Sequence, residues 1–167
     1  IAVIPGGGTY GMEAIARQFA DNEHCLVVRN GWFSYRWTQI LEMGSIAKSS
    51  TVLTARPLTD DTRSPFTPPP LATLLEVILA EKPKVVFCPH VETSAGMILP
   101  DDYLRAIAQA VHTYDGLFVL DCVASGMVLI DMESVGVDVL LTAPQKGWSS
   151  TPCAALVMMS HRARVLT

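Results

Sequence analysis

No run of Lys or Arg occurs in the 167 residues, and only 17% of them are charged. The 12 basic and 16 acidic residues leave a net charge of −4, which points away from nucleic acid or a membrane surface as partner. No apolar stretch approaches the roughly 20 residues of a membrane span; the runs are short, such as 126–130. The opening Ile1-Ala2-Val3-Ile4-Pro5 lacks the basic flank and the length of a signal peptide. It also lacks an initiating Met, which predicts a segment of a longer protein. Cysteine is scarce. Cys25, Cys88, Cys122 and Cys153 form no C-x-x-C pair, which argues against a zinc site. Each lies in or beside an apolar run, where burial as a reduced thiol is expected, and a reducing compartment such as the cytoplasm fits.

Half of the residues are hydrophobic and the mean hydropathy is +0.33, enough for one sizeable core. Short apolar runs predict strands at 2–4, 25–29, 51–55, 85–89, 117–121, 137–142 and 154–159. Several are nearly continuous in Val, Leu, Ile, Phe and Cys, as parallel strands covered on both faces require. Between them, Leu71, Leu74, Leu75, Ile78 and Leu79 repeat at helical spacing, as do Leu104, Ile107, Ala108 and Val111. Met12, Ile15, Ala16 and Phe19 make a shorter stripe. This alternation predicts an open, mostly parallel α/β sheet. The proline-rich stretch 56–70 reads as a surface loop, and 154–159 as a returning strand after a loop.

Pro5-Gly6-Gly7-Gly8-Thr9-Tyr10-Gly11 follows the first strand and opens a helix, so bare backbone N–H groups face any anion held there. Gly6, Gly8 and Gly11 match G-x-G-x-x-G, but the next strand ends Val28-Arg29-Asn30 without the acid of a dinucleotide site. Of the nucleotide readings only one for NADP, using Arg29, survives. Three polar features stand at strand ends, where open α/β sheets bind ligands: Asp121, Lys146 and the stretch His90–Gly96. Asp121 and Lys146 each need a partner, either one another in an ion pair closing the sheet edge or a ligand. Pyridoxal 5′-phosphate (PLP) is one ligand that uses a lysine, a carboxylate and a phosphate site together.

Five segments in order resemble the class V aminotransferases among the fold-type I PLP enzymes. They are P-G-G-G-T-Y-G-M-E-A at 5–14, N-G-W-F-S-Y-R-W at 30–37, H-V-E-T-S-A-G at 90–96, D-C-V-A-S-G at 121–126 and P-Q-K-G-W at 144–148. The likeness is greatest to alanine–glyoxylate and serine–pyruvate or serine–glyoxylate aminotransferases. It implies a three-layer α/β/α large domain over 1–167, with the small C-terminal domain and its substrate-carboxylate arginine absent. It implies Lys146 as the Schiff-base lysine and Asp121 as the partner of the pyridine nitrogen. Gly7, Gly8, Thr9 and Gln145 become phosphate contacts. Phe33, with Trp32 as a neighbouring competitor, stacks on one face of the ring, Val123 lies beneath the other, and Thr93 meets the cofactor. His90 reads as a hydrogen-bonded structural histidine and Glu92 as a carboxylate organising its loop. Ser34 departs from the Gly often found there, and 147–153 lacks the usual P-P-G, which bears on substrate choice more than chemistry. The implied reaction moves an amino group from a small amino acid to a 2-oxo acid in a homodimer. A different fold-type I reaction, on the pattern of cysteine desulfurase or kynureninase, is the alternative.

Overall fold

A computed structural model describes residues 1–166. In chain order the first half runs β1 (Ala2–Pro5), α1 (Gly8–Phe19), β2 (His24–Arg29), α2 (Tyr35–Met43), β3 (Ser49–Thr54), β4 (Arg56–Pro57), β5 (Phe66–Thr67) and α3 (Leu71–Glu81). There follow β6 (Val85–Pro89), β7 (Val91–Glu92), a single 3-10 turn (Thr93–Ala95), β8 (Met97–Ile98) and α4 (Asp101–His112). The last elements are β9 (Leu117–Asp121), α5 (Met132–Val135), β10 (Val139–Thr142), β11 (Ala154–Met159) and α6 (His161–Arg164).

Seven strands pair in the order β1-β11-β10-β9-β6-β2-β3. Only β11 runs against the rest: it pairs antiparallel with both β1 and β10, and the remaining pairings are parallel. The apolar strands β2, β6 and β9 lie at the centre, where burial on both faces demands such residues. Side chains alternate across the sheet. One set packs with α1 and α2, burying Met12, Ile15, Phe19, Trp37, Phe87 and Val119, and the other packs with α3 and α4, burying Leu74, Ile78, Leu104, Ile107 and Phe118. Three layers result, as expected.

The expected strands are present with small shifts. β10 begins at Val139 because the Val137 N–H closes onto Met132 O behind α5. The 56–70 stretch carries a two-residue ladder, Arg56 opposite Thr67 and Pro57 opposite Phe66. Cys25, Cys88 and Cys122 are buried, whereas Cys153 is exposed because β11 starts one residue beyond it. Among the described residues no helix is long and apolar enough to cross a membrane.

The sheet order bears directly on the glycine motif. A dinucleotide turn joins two neighbouring parallel strands. Here α1 leaves β1 at one edge, packs across β11 and β10, and delivers the chain to β2, with four strands lying between β1 and β2. The NADP reading loses its structural basis.

Candidate active site

Strands buried on both faces present polar groups at their ends. The segments after β1, β2, β6, β9 and β10 meet beyond the carboxyl edge of the sheet and line a cleft of about 230 Å³. Gly8, Thr9, Phe33, Thr93, Asp121, Val123, Gln145 and Lys146 all line it. Gly7 stands one residue behind, as the extended N-cap of α1.

The start of α1 carries no side-chain cap and no acid in its first turn, so its first N–H groups and positive dipole end are open toward the cleft. Gly6 has φ +115°, a conformation other residues rarely adopt. Gly8 is constrained by space rather than by its backbone conformation. A Cβ there would lie 2.8 Å from Val123 Cγ2, so α1 is pressed against the loop after β9. The Gln145 side chain lies beside Gly7, and its buried Oε1 has no hydrogen-bond partner among the described residues. A side-chain amide in that place can turn toward an anion at the helix end.

Asp121 ends β9, half-buried on the cleft floor. Burial pushes its carboxyl up to about 6. The Val123 N–H, which donates to Oδ1 at 3.0 Å, and the Trp37 indole pull it back, while the Glu92 charge adds to the rise. Such a carboxylate favours a cation beside it. Lys146 is not that cation: no ion pair joins the two among the described residues, so the sheet-edge pair weighed from sequence is not formed. Lys146 is exposed, with Nζ 5.9 Å from the centroid of the Phe33 ring. The next residue, Gly147, packs so tightly on the Gly126 backbone that a Cβ would overlap it, which clamps the loops after β9 and β10 together.

Phe33 and Trp32 are both exposed at the cleft and ride on a loop anchored from below by Glu92. That buried carboxylate accepts from Phe33 N at 3.2 Å, Ser34 N at 2.9 Å, Ser34 Oγ at 2.7 Å and Ser94 Oγ at 2.6 Å. Burial raises its pKa, but the hydrogen bonds from Ser94, Ser34 and Phe33 outweigh burial and hold it below the ordinary glutamate value. Ser34, the departure noted in the sequence, is therefore part of the anchor. The Trp32 N–H donates to Ser94 Oγ at 2.8 Å. His90 is buried with Nδ1 2.7 Å from Ser125 Oγ, and burial lowers its pKa, which keeps the ring neutral and structural.

The model of the Aminotransferase class-V family matches residues 7–162. This chain belongs to that family. It is 32% identical over 109 residues to the alanine–glyoxylate aminotransferase of Oryctolagus cuniculus, covering 65% of this chain and 26% of that protein. It is 27% identical over 167 residues to the L-aspartate–glyoxylate aminotransferase of Paracoccus denitrificans, covering 98% of this chain and 40% of that one. The ureidoglycine–glyoxylate aminotransferase of Bacillus subtilis superimposes with a TM-score of 0.81 at 27% identity, over 98% of this chain and 40% of that structure. The chain thus spans a quarter to two fifths of the length of these class V relatives.

Three residues near the class V cleft carried no assignment from sequence. Met12 and Arg36 line it, and the wholly buried Trp37 is near enough for its indole to lower the Asp121 pKa. Met12 served only as part of an apolar stripe, and Arg36-Trp37 closed a motif read for its aromatic residues. The packing of α1 against α2 and the stacking of Trp37 on Phe87 of β6 were needed to place them.

Proposed function

We propose that this chain is the cofactor-binding large domain, 1–167, of a PLP-dependent aminotransferase that moves an amino group from a small amino acid of the alanine or serine type to a 2-oxo acid such as glyoxylate or pyruvate. One observation carries the reading: an uncapped helix N-terminus, a raised carboxylate and a free lysine converge on one cleft. The residues present fit the cofactor. Gly7, Gly8 and Thr9 at the α1 terminus, with the Gln145 amide, suit a phosphate. Val123 and Phe33 supply apolar faces for a flat ring, and Thr93 supplies a hydroxyl. When bound, the protonated ring draws off negative charge developing at the substrate α-carbon.

Asp121 keeps a proton on the ring nitrogen by offering a carboxylate that is costly to leave ionised alone. Lys146 Nζ supplies the amine that holds the cofactor and carries the proton to and from the α-carbon as base and acid. Glu92 and Ser34 keep the aromatic loop in place while this happens. The names of the relatives above support glyoxylate as an acceptor. We also read the complete protein as a homodimer of a reducing compartment, the cytoplasm, in keeping with the four free cysteines.

Borohydride reduction followed by peptide mapping tests the lysine. In the complete protein the cofactor is expected on the peptide containing Lys146, and Lys146→Ala is expected to lose it with the fold intact. Reduced cofactor on another lysine contradicts the reading.

A further inference from the structure

We propose that Trp37 is a positioning residue of this site, its indole N–H directed from the core at the Asp121 carboxylate. Side chains alternate along β9, so Leu117, Val119 and Asp121 point to the α1–α2 face, and the first two lie in the same apolar cluster as Trp37. β6 runs beside β9 with Phe87 opposite Val119 and Pro89 opposite Asp121. The Trp37 ring stacks on Phe87, with centroids 4.4 Å apart and planes at 28°, which sets it one step of the pleat below Asp121. Trp37 is wholly buried, and its Nε1 has no hydrogen-bond partner within normal distance among the described residues. A buried donor left without an acceptor is costly and rare.

The Asp121 carboxylate is an acceptor near enough for that donor to act on it. Val123 N–H takes Oδ1, and no hydrogen bond to Oδ2 is made within normal distance among the described residues. The indole already lies near enough to favour the ionised carboxyl against burial. The other charged or titratable groups facing Asp121 are distinct in behaviour. Glu92 is held ionised by its hydrogen bonds, and burial raises the Cys88 and Cys122 thiols. Burial lowers His90, and Lys146 and Arg36 line the same cleft. Trp37 thereby keeps Asp121 charged and oriented for a cationic ring. That consequence rests on the PLP reading; the pairing itself does not.

The test uses the complete protein without cofactor, labelled with ¹⁵N-tryptophan. The Trp37 indole N–H resonance, assigned by its loss in Trp37→Phe or by comparison with Asp121→Asn, is followed from pH 4.5 to 8. It is expected to shift with a midpoint near 6 and to stay still in Asp121→Asn. No shift, or the same shift in Asp121→Asn, overturns the pairing. For Trp37→Phe, the pH below which PLP affinity declines is expected to rise by about one unit, a roughly fivefold loss of affinity at pH 6 that approaches tenfold at lower pH. An unmoved pH profile in a folded Trp37→Phe protein overturns the positioning role. If the wild type shows the coupled resonance but binds no PLP, the cofactor reading falls and the pairing stands.

Discussion

Asp121 concentrates the chemistry of this site because its environment is designed for a charge that the protein alone does not neutralise. Its folded pKa of about 6 lies above the ordinary 3.8, so the native state holds the extra proton between those values. The contribution to stability is therefore fully present below about pH 4 and is lost as pH rises through 6. At neutral pH the ionised group destabilises the cofactor-free fold by up to about 3 kcal/mol, taking 1.36 kcal/mol per unit. Asp121→Asn should then raise the melting temperature of the cofactor-free complete protein at pH 7–8, with the gain vanishing near pH 4. The same variant should lose transamination by about a hundredfold or more, as removal of a charge-stabilising group does. Thermal melts that show no pH-dependent gain would contradict the burial argument, and near-normal turnover would contradict the role on the ring nitrogen.

At the scale of elements, the site depends on how closely α1 meets the loop after β9. Gly8→Val places its branched side chain where Val123 already sits 2.8 Å from a bare Cβ, so the helix start must retreat from the cleft. Its affinity for PLP should fall by about one to two decades, the equivalent of one charge-assisted hydrogen bond. Tyr10→Phe, an exposed position two residues on, should change little, and titration of the two cofactor-free variants makes the comparison. Equal affinities would place the phosphate elsewhere. Much of this element structure was legible: β6, β9 and β11 have the limits their apolar runs predict, and the Met12–Phe19 stripe is the buried face of α1. α2 was not, because its buried residues, Trp37, Thr38 and Leu41, are few and include a polar one. The Glu92 anchor was legible only as a loop organiser. Ser94 is two residues on in the same motif, but Ser34 lies 58 residues away, and no local spacing joins it to Glu92.

For the whole molecule, the decisive feature is strand order, which periodicity does not reveal. Sequence places the glycine turn, Asp121 and Lys146 at strand ends, but only the order β1-β11-β10-β9-β6 brings those ends along one edge. The antiparallel β11 makes this arrangement, since it pairs with β10 on one side and takes β1 on the other, so β1 closes that edge instead of lying beside β2 as a dinucleotide turn requires. The resemblance carried the residue roles further than spacing alone: without it the ion pair between Asp121 and Lys146 stood as an equal reading. The most direct measurement is a spectroscopic titration of the cofactor-free complete protein with PLP and, separately, with NADP. Saturable PLP binding is expected, with a new visible or near-visible absorbance band that is absent in Lys146→Ala, and no competition by NADP. A wild-type protein that gives no such band, or that binds NADP in preference to PLP, would contradict the PLP reading.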